Sequence, residues 1–381
     1  GITAADERAV LADLNQRAAV RARSASAYEV ALAHARIALD LLPEGAAPTL
    51  WASIAHELQL SSYLTGRYDD ADHWTEQLLE RASTGLERAG ILATRTRQYA
   101  TIGRMKASIQ AAIQGLTLLG IDFVPDPDAA HVDAEIAAVE RNRDDRPIPS
   151  LIDAPPCDDE VALQAIRLLM EIFAAAFLSG SGRLFPYLVL KLVNLSLRHG
   201  NSPESAFAYA AYGMLLCGVL DDPATGLAYG RLGVAINERF DDLALRARVI
   251  YVYAMFVHHW SEHWASMTPW FKRGIEAGYQ SGDLLYLAYS AQDCIIWDPT
   301  LDLESAARSQ RQYLAIVKDT GYTDSFDSGT LFLQMQRNFL GETRTRLSLD
   351  TDDFDEAAVV QGMRERAFMT GIANHHIYKA E

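Results

Sequence analysis

Three residues in the second half of the chain have the types and the spacing of a zinc-dependent peptidase site. His259, Glu262 and His263 match the motif H-x-x-E-H. On a helix the two histidines would share one face and could bind zinc, while the glutamate would act as a general base. The motif fixes few positions, and tryptophans at 260 and 264 flank its centre. Those neighbours favour a turn between two helices with the histidines at the surface, so we expect no metal and no cofactor.

A second acidic motif lies at 350–353, where D-T-D-D matches the D-x-D-D acid of class II terpene cyclases. In such an enzyme Asp352 would protonate an alkene. The same residues also suit a helix start, because an aspartate there accepts hydrogen bonds from backbone N–H groups and complements the helix dipole. We therefore expect Asp353 to cap a helix beginning near Phe354, as we expect of Asp222 at an earlier helix start.

An aromatic segment from Trp260 to Trp297 holds four of the six tryptophans of the chain. Half-exposed rings beside acids would suit either an apolar anchor of a partner or a stacked ligand. The alternative is ordinary core packing between helices, and the sequence leaves both open. The binding residues predicted from this segment are Trp260, Trp264, Tyr286, Tyr289, Trp297, Glu262 and Asp293.

The elements that would position these residues are helices. In residues 50–82 the apolar side chains recur every three or four positions, on both sides of a break at Thr65-Gly66-Arg67. This spacing predicts two helices joined by a tight turn. Neither apolar face can be buried within such a pair, so each pair needs a neighbouring pair.

The chain supplies further copies of this pair. Ala71, where the two helices should touch, has equivalents at Ala31 and Ser108, which are 40 residues earlier and 37 residues later. Self-similarity at a nearly fixed period is typical of a solenoid, although the period exceeds the roughly 34 residues of a tetratricopeptide repeat. We predict an all-α fold: a tetratricopeptide-like, right-handed α-α superhelix of about eighteen helices. Glycines at 226, 230 and 233 should let two of the helices approach closely.

Three regions are expected along the chain. Residues 1–121 would form the first helical pairs, and 122–156 a proline-rich linker with a short helix. Residues 157–381 would form a second array, whose last helix is cut at the C-terminal end. Because the chain also begins without methionine, we expect it to be a piece of a longer protein.

Composition narrows the classes of function. The formal net charge of the 381 residues is -16, and no basic stripe is present, so we expect no binding to nucleic acid. Cys157, Cys217 and Cys294 have no metal-ligand spacing and fit a reducing compartment. No apolar run is long enough to insert into a membrane, and no signal peptide precedes the first helix. We therefore expect a cytoplasmic protein.

Four sequence runs carry a resemblance to a known family. GNSPESAFAYAAYG, LAYGRLGVAINERF, FVHHWSEHW and GIEAGYQSGDLLYLAYS occur in this order, after LGIDFVPDP at 119–127. They resemble the helical-repeat region of large bacterial multidomain signalling proteins. Those proteins are STAND-class ATPases that often carry Ser/Thr-kinase-like and histidine-kinase modules. The resemblance implies a tetratricopeptide-like regulatory segment, and it brings no ATPase or kinase activity, because the chain has neither G-x-x-x-x-G-K-[ST] nor the kinase motifs.

The function predicted from these observations is interaction. The segment would contact a protein partner or neighbouring domains of its parent chain, and relay a signal to catalytic domains outside the segment. One alternative is a sensor that binds a small molecule in its groove, as sugar-responsive STAND activators do. Another is an all-α enzyme, either a zinc peptidase or a terpene-cyclase-like protein. We expect the segment itself not to be an enzyme.

Overall fold

The computed structural model describes residues 5–43, 45–178, 182–296 and 298–380. These residues form nineteen α-helices and three short 3-10 helices. The chain is 77% helical, and the described residues contain no strand, only isolated bridges between Pro156 and Asn201 and between Thr351 and Phe354. The prediction of an all-α fold is therefore confirmed, with one α-helix more than the expected eighteen or so.

The helices follow one another with short connections. In chain order they are α1 (Ala5–Ser24), α2 (Tyr28–Leu41), α3 (Pro48–Leu64), α4 (Tyr68–Arg81), α5 (Gly85–Thr101), α6 (Met105–Leu118), α7 (Ala129–Arg143), α8 (Glu160–Glu171), α9 (Phe173–Leu178), α10 (Leu184–His199), α11 (Pro203–Gly218), α12 (Pro223–Phe240), α13 (Leu243–Phe256), α14 (Met267–Ser281), α15 (Leu284–Asp293), α16 (Leu303–Thr320), α17 (Thr323–Phe339), α18 (Glu356–Glu365) and α19 (Met369–Ala380). The 3-10 helices are Ile148–Asp153, His258–Trp260 and Trp264–Ser266.

The first three helix pairs turn in the same way. Ser26, Gly66 and Gly103 have φ angles of 59°, 76° and 77°. In each turn the N–H group of the next residue donates to the carbonyl five positions earlier, at 2.9, 2.8 and 2.9 Å. This is the Schellman arrangement, which uses a left-handed residue to satisfy the last carbonyls of a helix. The turn predicted at residues 65–67 is confirmed, and it recurs in the neighbouring pairs.

Small residues lie where the helices of a pair meet. Ala31, Ala71 and Ser108 are 0%, 3% and 0% exposed. The Ser108 hydroxyl also donates to the carbonyl of Thr96 on the partner helix at 2.8 Å. Successive pairs then pack on each other through α2 with α3 and α4 with α5. Local repetition of helix pairs, as predicted, is thus present in this part of the chain.

The chain divides into two compact units. Unit 1 comprises Gly1–Ala134 and Asp158–Leu188, and unit 2 comprises Glu135–Cys157 and Val189–Glu381. Residues of the expected linker, 122–156, contribute to both units. The boundaries expected at 121 and 156 were drawn from sequence pattern alone, and they stay a prediction.

In unit 2, α11 and α12 approach closely through glycines. A Cβ atom on Gly226 would lie 2.9 Å from the carbonyl oxygen of Gly213, and one on Gly233 would lie 2.6 Å from that of Ala206. Neither contact leaves room for a methyl group, because the obstacle is backbone. The close approach predicted for α12 is confirmed at these two positions, whereas a Cβ on Gly230 would meet side chains of Val257 and Tyr253.

None of the helices in the described part of the chain combines the length and the apolar character required to cross a bilayer.

Candidate functional site

The H-x-x-E-H residues lie in the connection between α13 and α14. Helix α13 ends at Phe256, and two 3-10 helices with a turn between them follow. His259 and His263 therefore do not share a face of one helix. Glu262 forms an ion pair with Arg231, and His263 Nδ1 accepts a hydrogen bond from the backbone of the connection. Among the described residues no three histidine, cysteine or acidic side chains form a group that could hold a metal ion.

His258, the residue before the motif, anchors this connection. Its side chain is buried, with Nε2 2.7 Å from Ser266 Oγ and Nδ1 3.1 Å from the Tyr253 hydroxyl. Ser266 donates its only hydroxyl proton to the carbonyl of His263 at 2.5 Å. Its oxygen therefore accepts from His258, so the neutral ring carries its proton on Nε2 and accepts at Nδ1. Burial lowers the pKa of His258, which favours this neutral form.

This directed chain of hydrogen bonds decides what the serine can do. A nucleophilic serine must give its proton to the histidine beside it. Here Ser266 gives its proton to a backbone carbonyl, and His258 is the donor between the two. The arrangement therefore holds the connection in place and does not activate a nucleophile.

A surface pocket of about 410 Å³ opens beside the anchored connection. Helix α12 contributes one wall, and α13, α14 and the connection contribute the rest. The residues that line it are Arg231, Val234, Ala235, Glu238, Tyr253, His258, Glu262, Ser266 and Trp270. Six of these nine residues carry a charged, hydroxyl or imidazole group, and the other three are Val234, Ala235 and Trp270, so the residues that line the pocket are predominantly polar.

Two ion pairs lie at this pocket. Arg231 pairs with Glu262, and Arg273 pairs with Glu238 at 2.9 Å. The Arg273 guanidinium also lies 4.5 Å from the ring centroid of Trp270. Positive and negative charges are thus matched within the site, so the pocket has no excess of either sign.

The predicted aromatic residues separate into two groups. Trp260 and Trp264 are 48% and 49% exposed and lie on the connection beside the pocket. Tyr286 is buried, and Tyr289 is half-buried against the core cluster of unit 2. Trp297 lies outside the described residues. The structure therefore places Trp260, Trp264 and Glu262 in one exposed connection, and it places the two tyrosines in the core of unit 2.

Asp293 lies in the core with those tyrosines. Its carboxylate accepts from the Tyr251 hydroxyl at 2.9 Å and from the Gln292 amide at 3.0 Å. No cation pairs with it among the described residues. Burial raises the pKa of Asp293 to about 6. This acid is thus part of a buried polar network within unit 2.

The D-T-D-D motif has a structural role in the connection before α18. Asp353 is not the helix cap: the side chain of Asp355 accepts from the backbone N–H of Ala358 at 2.9 Å and caps α18. Asp353 pairs instead with Arg337 at 2.9 Å, and hydrogen bonds from Thr351 and then Arg337 lower its pKa to about 2. The expected cap was wrong by two residues, because the helix begins later than the apolar pattern indicated. The cap expected at Asp222 is confirmed.

Sequence reasoning missed several of the residues that build the pocket. Arg231, Tyr253 and Ser266 come from three different elements, and no short motif joins them. Two residues in the sequence could have pointed to the pocket. One is His258, which directly precedes the H-x-x-E-H motif, and the other is the nearby aromatic residue Trp270.

The chain has a distant relative among signalling proteins. No protein-family model matches it. It is 22% identical over 327 residues to the hybrid signal transduction histidine kinase G of Dictyostelium discoideum. The match covers 76% of this chain and 9% of that protein, so the chain spans less than a tenth of the length of this relative. The similarity connects this all-α chain with signal transduction.

Proposed function

We propose that this chain is a tetratricopeptide-like segment that mediates protein–protein or interdomain contacts in a signalling protein. Its helix pairs stack as a right-handed superhelix, and it relays a signal to catalytic domains outside the chain. The segment itself is not an enzyme, needs no cofactor and binds no nucleic acid, and its parent protein is cytoplasmic. The repeated helix pairs and the similarity to a signal transduction histidine kinase support this proposal.

One observation carries the proposal furthest: two tryptophans are held half exposed on an ordered connection. Trp260 and Trp264, together with Glu262, form what we call the tryptophan surface. The backbone of this connection is already held in place, because His258 hydrogen-bonds to Ser266 and Ser266 hydrogen-bonds to the carbonyl of His263. A preordered surface loses little conformational entropy when it binds. Large rings in such positions are typical anchors of protein interfaces.

Hydrogen–deuterium exchange tests this proposal. The exchange of residues 257–266 is compared between the isolated chain and the full-length protein that carries it. We expect slower exchange in the full-length protein, because a bound partner or domain shields the tryptophan surface. Trp264→Ala should remove that difference, while Tyr279→Ala, at a ring that is 60% exposed on α14, should retain it.

Equal exchange in both proteins would argue against contacts between domains. The same comparison is then made on full-length protein with and without its co-purifying partners. The three samples are then the isolated chain, the full-length protein alone and the full-length protein with its partners. If residues 257–266 exchange at the same rate in all three, the tryptophan surface is not a contact surface and the proposal fails.

The pocket favours a second candidate function, the binding of a small molecule. Its volume of about 410 Å³ suits a compact ligand, and the Tyr253 and Ser266 hydroxyls and two matched ion pairs surround it. Because the charges are matched, an uncharged or zwitterionic polar molecule fits better than a polyanion.

A thermal-shift screen tests this second function. A molecule that binds only the folded chain raises the melting temperature. Tyr253→Phe removes one hydroxyl at the pocket and keeps the ring against Trp270, so it should reduce the shift that a true ligand causes. Tyr229→Phe is the matched control, because its hydroxyl is buried elsewhere in unit 2, without a hydrogen-bond partner among the described residues. A ligand whose shift is the same in both variants does not use the Tyr253 hydroxyl, and this binding mode is then wrong.

A further inference from the structure

The connection between α17 and α18 is an ordered loop far along the chain from the tryptophan surface. Asn338, near the end of α17, directs its amide nitrogen into the loop. This nitrogen lies 2.8 Å from Thr343 Oγ1, 3.2 Å from the carbonyl oxygen of Thr345 and 3.0 Å from that of Ser348. The Asn338 side chain therefore contacts the loop at three residues.

The second half of the loop is tied to α18 and α19. Asp350 accepts from the backbone N–H of Glu356 at 2.7 Å, and Glu356 in turn accepts from the N–H of Leu349 at 2.8 Å. Lys379 of α19 donates to the carbonyl of Leu347. The Leu349 side chain is 3% exposed and lies in a core cluster with Leu331 and Met363. These bonds leave the backbone of the loop little freedom.

The same loop turns a leucine away from the protein. The Leu347 side chain is 87% exposed, more than any other large apolar side chain in the described part of the chain. Phe339, which directly follows the anchoring Asn338, is 51% exposed. Burial of an exposed leucine or phenylalanine against a partner would be favourable by about 1.5–3 kcal/mol.

Basic side chains border the exposed leucine. Arg344 is 63% exposed; its side chain lies 4.0 Å from the fully exposed Asp352 and also acts on the nearby Asp350, whose pKa it helps to lower. Arg346 is exposed and forms no ion pair with any described residue. The tip sequence R-T-R-L is therefore basic and apolar on a chain whose net charge is -16. Arginine beside an apolar anchor is a common composition of an interface centre.

We propose that residues 343–347 dock into an apolar pocket bordered by carboxylates on another protein or domain. Leu347 enters the pocket, and Arg344 and Arg346 pair with its acidic border. A protein fits better than a nucleic acid, because Leu347 needs an apolar pocket beside the acidic groups and a phosphate backbone offers none. One leucine with two arginines is also too little for stable attachment to a bilayer.

A photo-cross-linking experiment tests this docking. A diazirine analogue of leucine replaces Leu347 in the full-length protein, inside its native cells, and the cross-linked peptide is mapped by mass spectrometry. We expect one acidic protein segment as the main product. Arg346→Glu should reduce that product on the order of tenfold, which corresponds to about 1.4 kcal/mol. Arg346→Lys keeps the charge and should reduce it much less.

Two measurements keep the result interpretable. The melting temperature of both Arg346 variants should equal that of the unmodified chain, because this side chain has no ion pair to lose. The same diazirine at Ile377, a residue on α19 that is 55% exposed, should not yield the same product. This probe is independent of the tryptophan surface, so the two proposals can fail separately.

Several results would overturn the proposal. Cross-links scattered over many proteins, or insensitive to Arg346→Glu, would mean that the leucine has no specific partner. Sedimentation of the chain with phosphatidylserine–phosphatidylcholine vesicles, lost in Leu347→Ala, would identify a membrane instead. A concentration-dependent dimer that Leu347→Ala abolishes would identify a second copy of the chain.

Discussion

Asp293 gives unit 2 a pH-dependent stability. Its pKa is raised by burial to about 6 from an ordinary value of 3.8, so between these values the folded chain binds more protons than the unfolded chain. The contribution of Asp293 to stability is therefore greatest below the lower value and falls as the pH rises through the upper one. The loss amounts to roughly 2–4 kcal/mol at neutral pH, since one pKa unit is worth about 1.4 kcal/mol.

We expect Asp293→Asn to remove this pH dependence. The amide is uncharged throughout, so the urea midpoint of the variant, relative to that of the wild type, should rise between acid and neutral pH. Asp319→Asn, at an exposed position on α16, is the matched control and should show the wild-type profile. A profile of Asp293→Asn that parallels the wild type would mean that the buried acid does not titrate in this range.

His258 should be found as a single tautomer. Because Ser266 donates to His263, the neutral ring must carry its proton on Nε2. Long-range ¹H–¹⁵N correlation spectra should show this tautomer at neutral pH and should show protonation only below the ordinary pKa of 6.5, because burial lowers the pKa of His258. Acidification through this range should therefore reduce the contribution of His258 to stability. A proton on Nδ1 would contradict the hydrogen-bond directions described above.

Trp264 and Tyr289 should respond differently to truncation. Tyr289 packs against Tyr251 and Tyr286, with ring centroids 5.4 and 5.7 Å apart. Tyr289→Ala should lower the free energy of unfolding by roughly 3–5 kcal/mol, the range for deletion of a large buried ring. Trp264→Ala removes a ring that is half exposed and should cost less, roughly 1–2 kcal/mol. Urea titration of both variants checks this, and equal losses would place Trp264 in the core.

At the scale of elements, the contact of α11 with α12 depends on the absence of side chains. Gly233→Ala would place a Cβ 2.6 Å from a backbone oxygen of α11, and this overpacking should destabilise the chain by about 1–3 kcal/mol. Gly218→Ala at the end of α11 meets no atom within 4 Å, so it is the matched control and should be neutral or slightly stabilising. If Gly233→Ala melts with the wild type, the two helices do not lie as close as described.

The proposed contact surfaces lie on connections between helices, and the helices fix the positions of those connections. Both the 257–266 connection and the 341–355 loop are irregular, yet each is tied by a buried or half-buried polar side chain, His258 in one and Asn338 in the other. Loops positioned by a rigid scaffold are where binding residues concentrate. In this chain the scaffold is built from helix pairs.

At the scale of the whole molecule, charge sets which partners can approach. The net charge of -16 creates a field that repels phosphate backbones. We expect the chain to leave the electrophoretic mobility of double-stranded DNA unchanged even at low salt. A shifted band that disappears at high salt would contradict this expectation and would point to a local basic surface that outweighs the total charge.

The local elements could be read from the sequence. Apolar spacing in 50–82, the break at Gly66 and the cap at Ser202 with Pro203 behind it all depend on residues within one or two helical turns. The Gly226 and Gly233 contact was also predictable, because a row of small residues on one face allows close approach. Helices, turns, caps and rows of small residues depend on residues close together in the sequence, so the sequence alone can indicate them.

Tertiary structure alone decided which residues form the site. His259 and His263 have helical spacing, but α13 ends at Phe256, so they do not share a helix face. Trp264 and Tyr289 both belong to the aromatic segment predicted from the sequence, yet Tyr289 packs against Tyr251 in the core while Trp264 is 49% exposed. Exposure and pocket lining depend on helices that are distant in sequence, and a single sequence contains no local signal for those contacts. For that reason the helices could be predicted from spacing, whereas the exposure of Trp260 and Trp264 and the lining of the pocket required the packed fold.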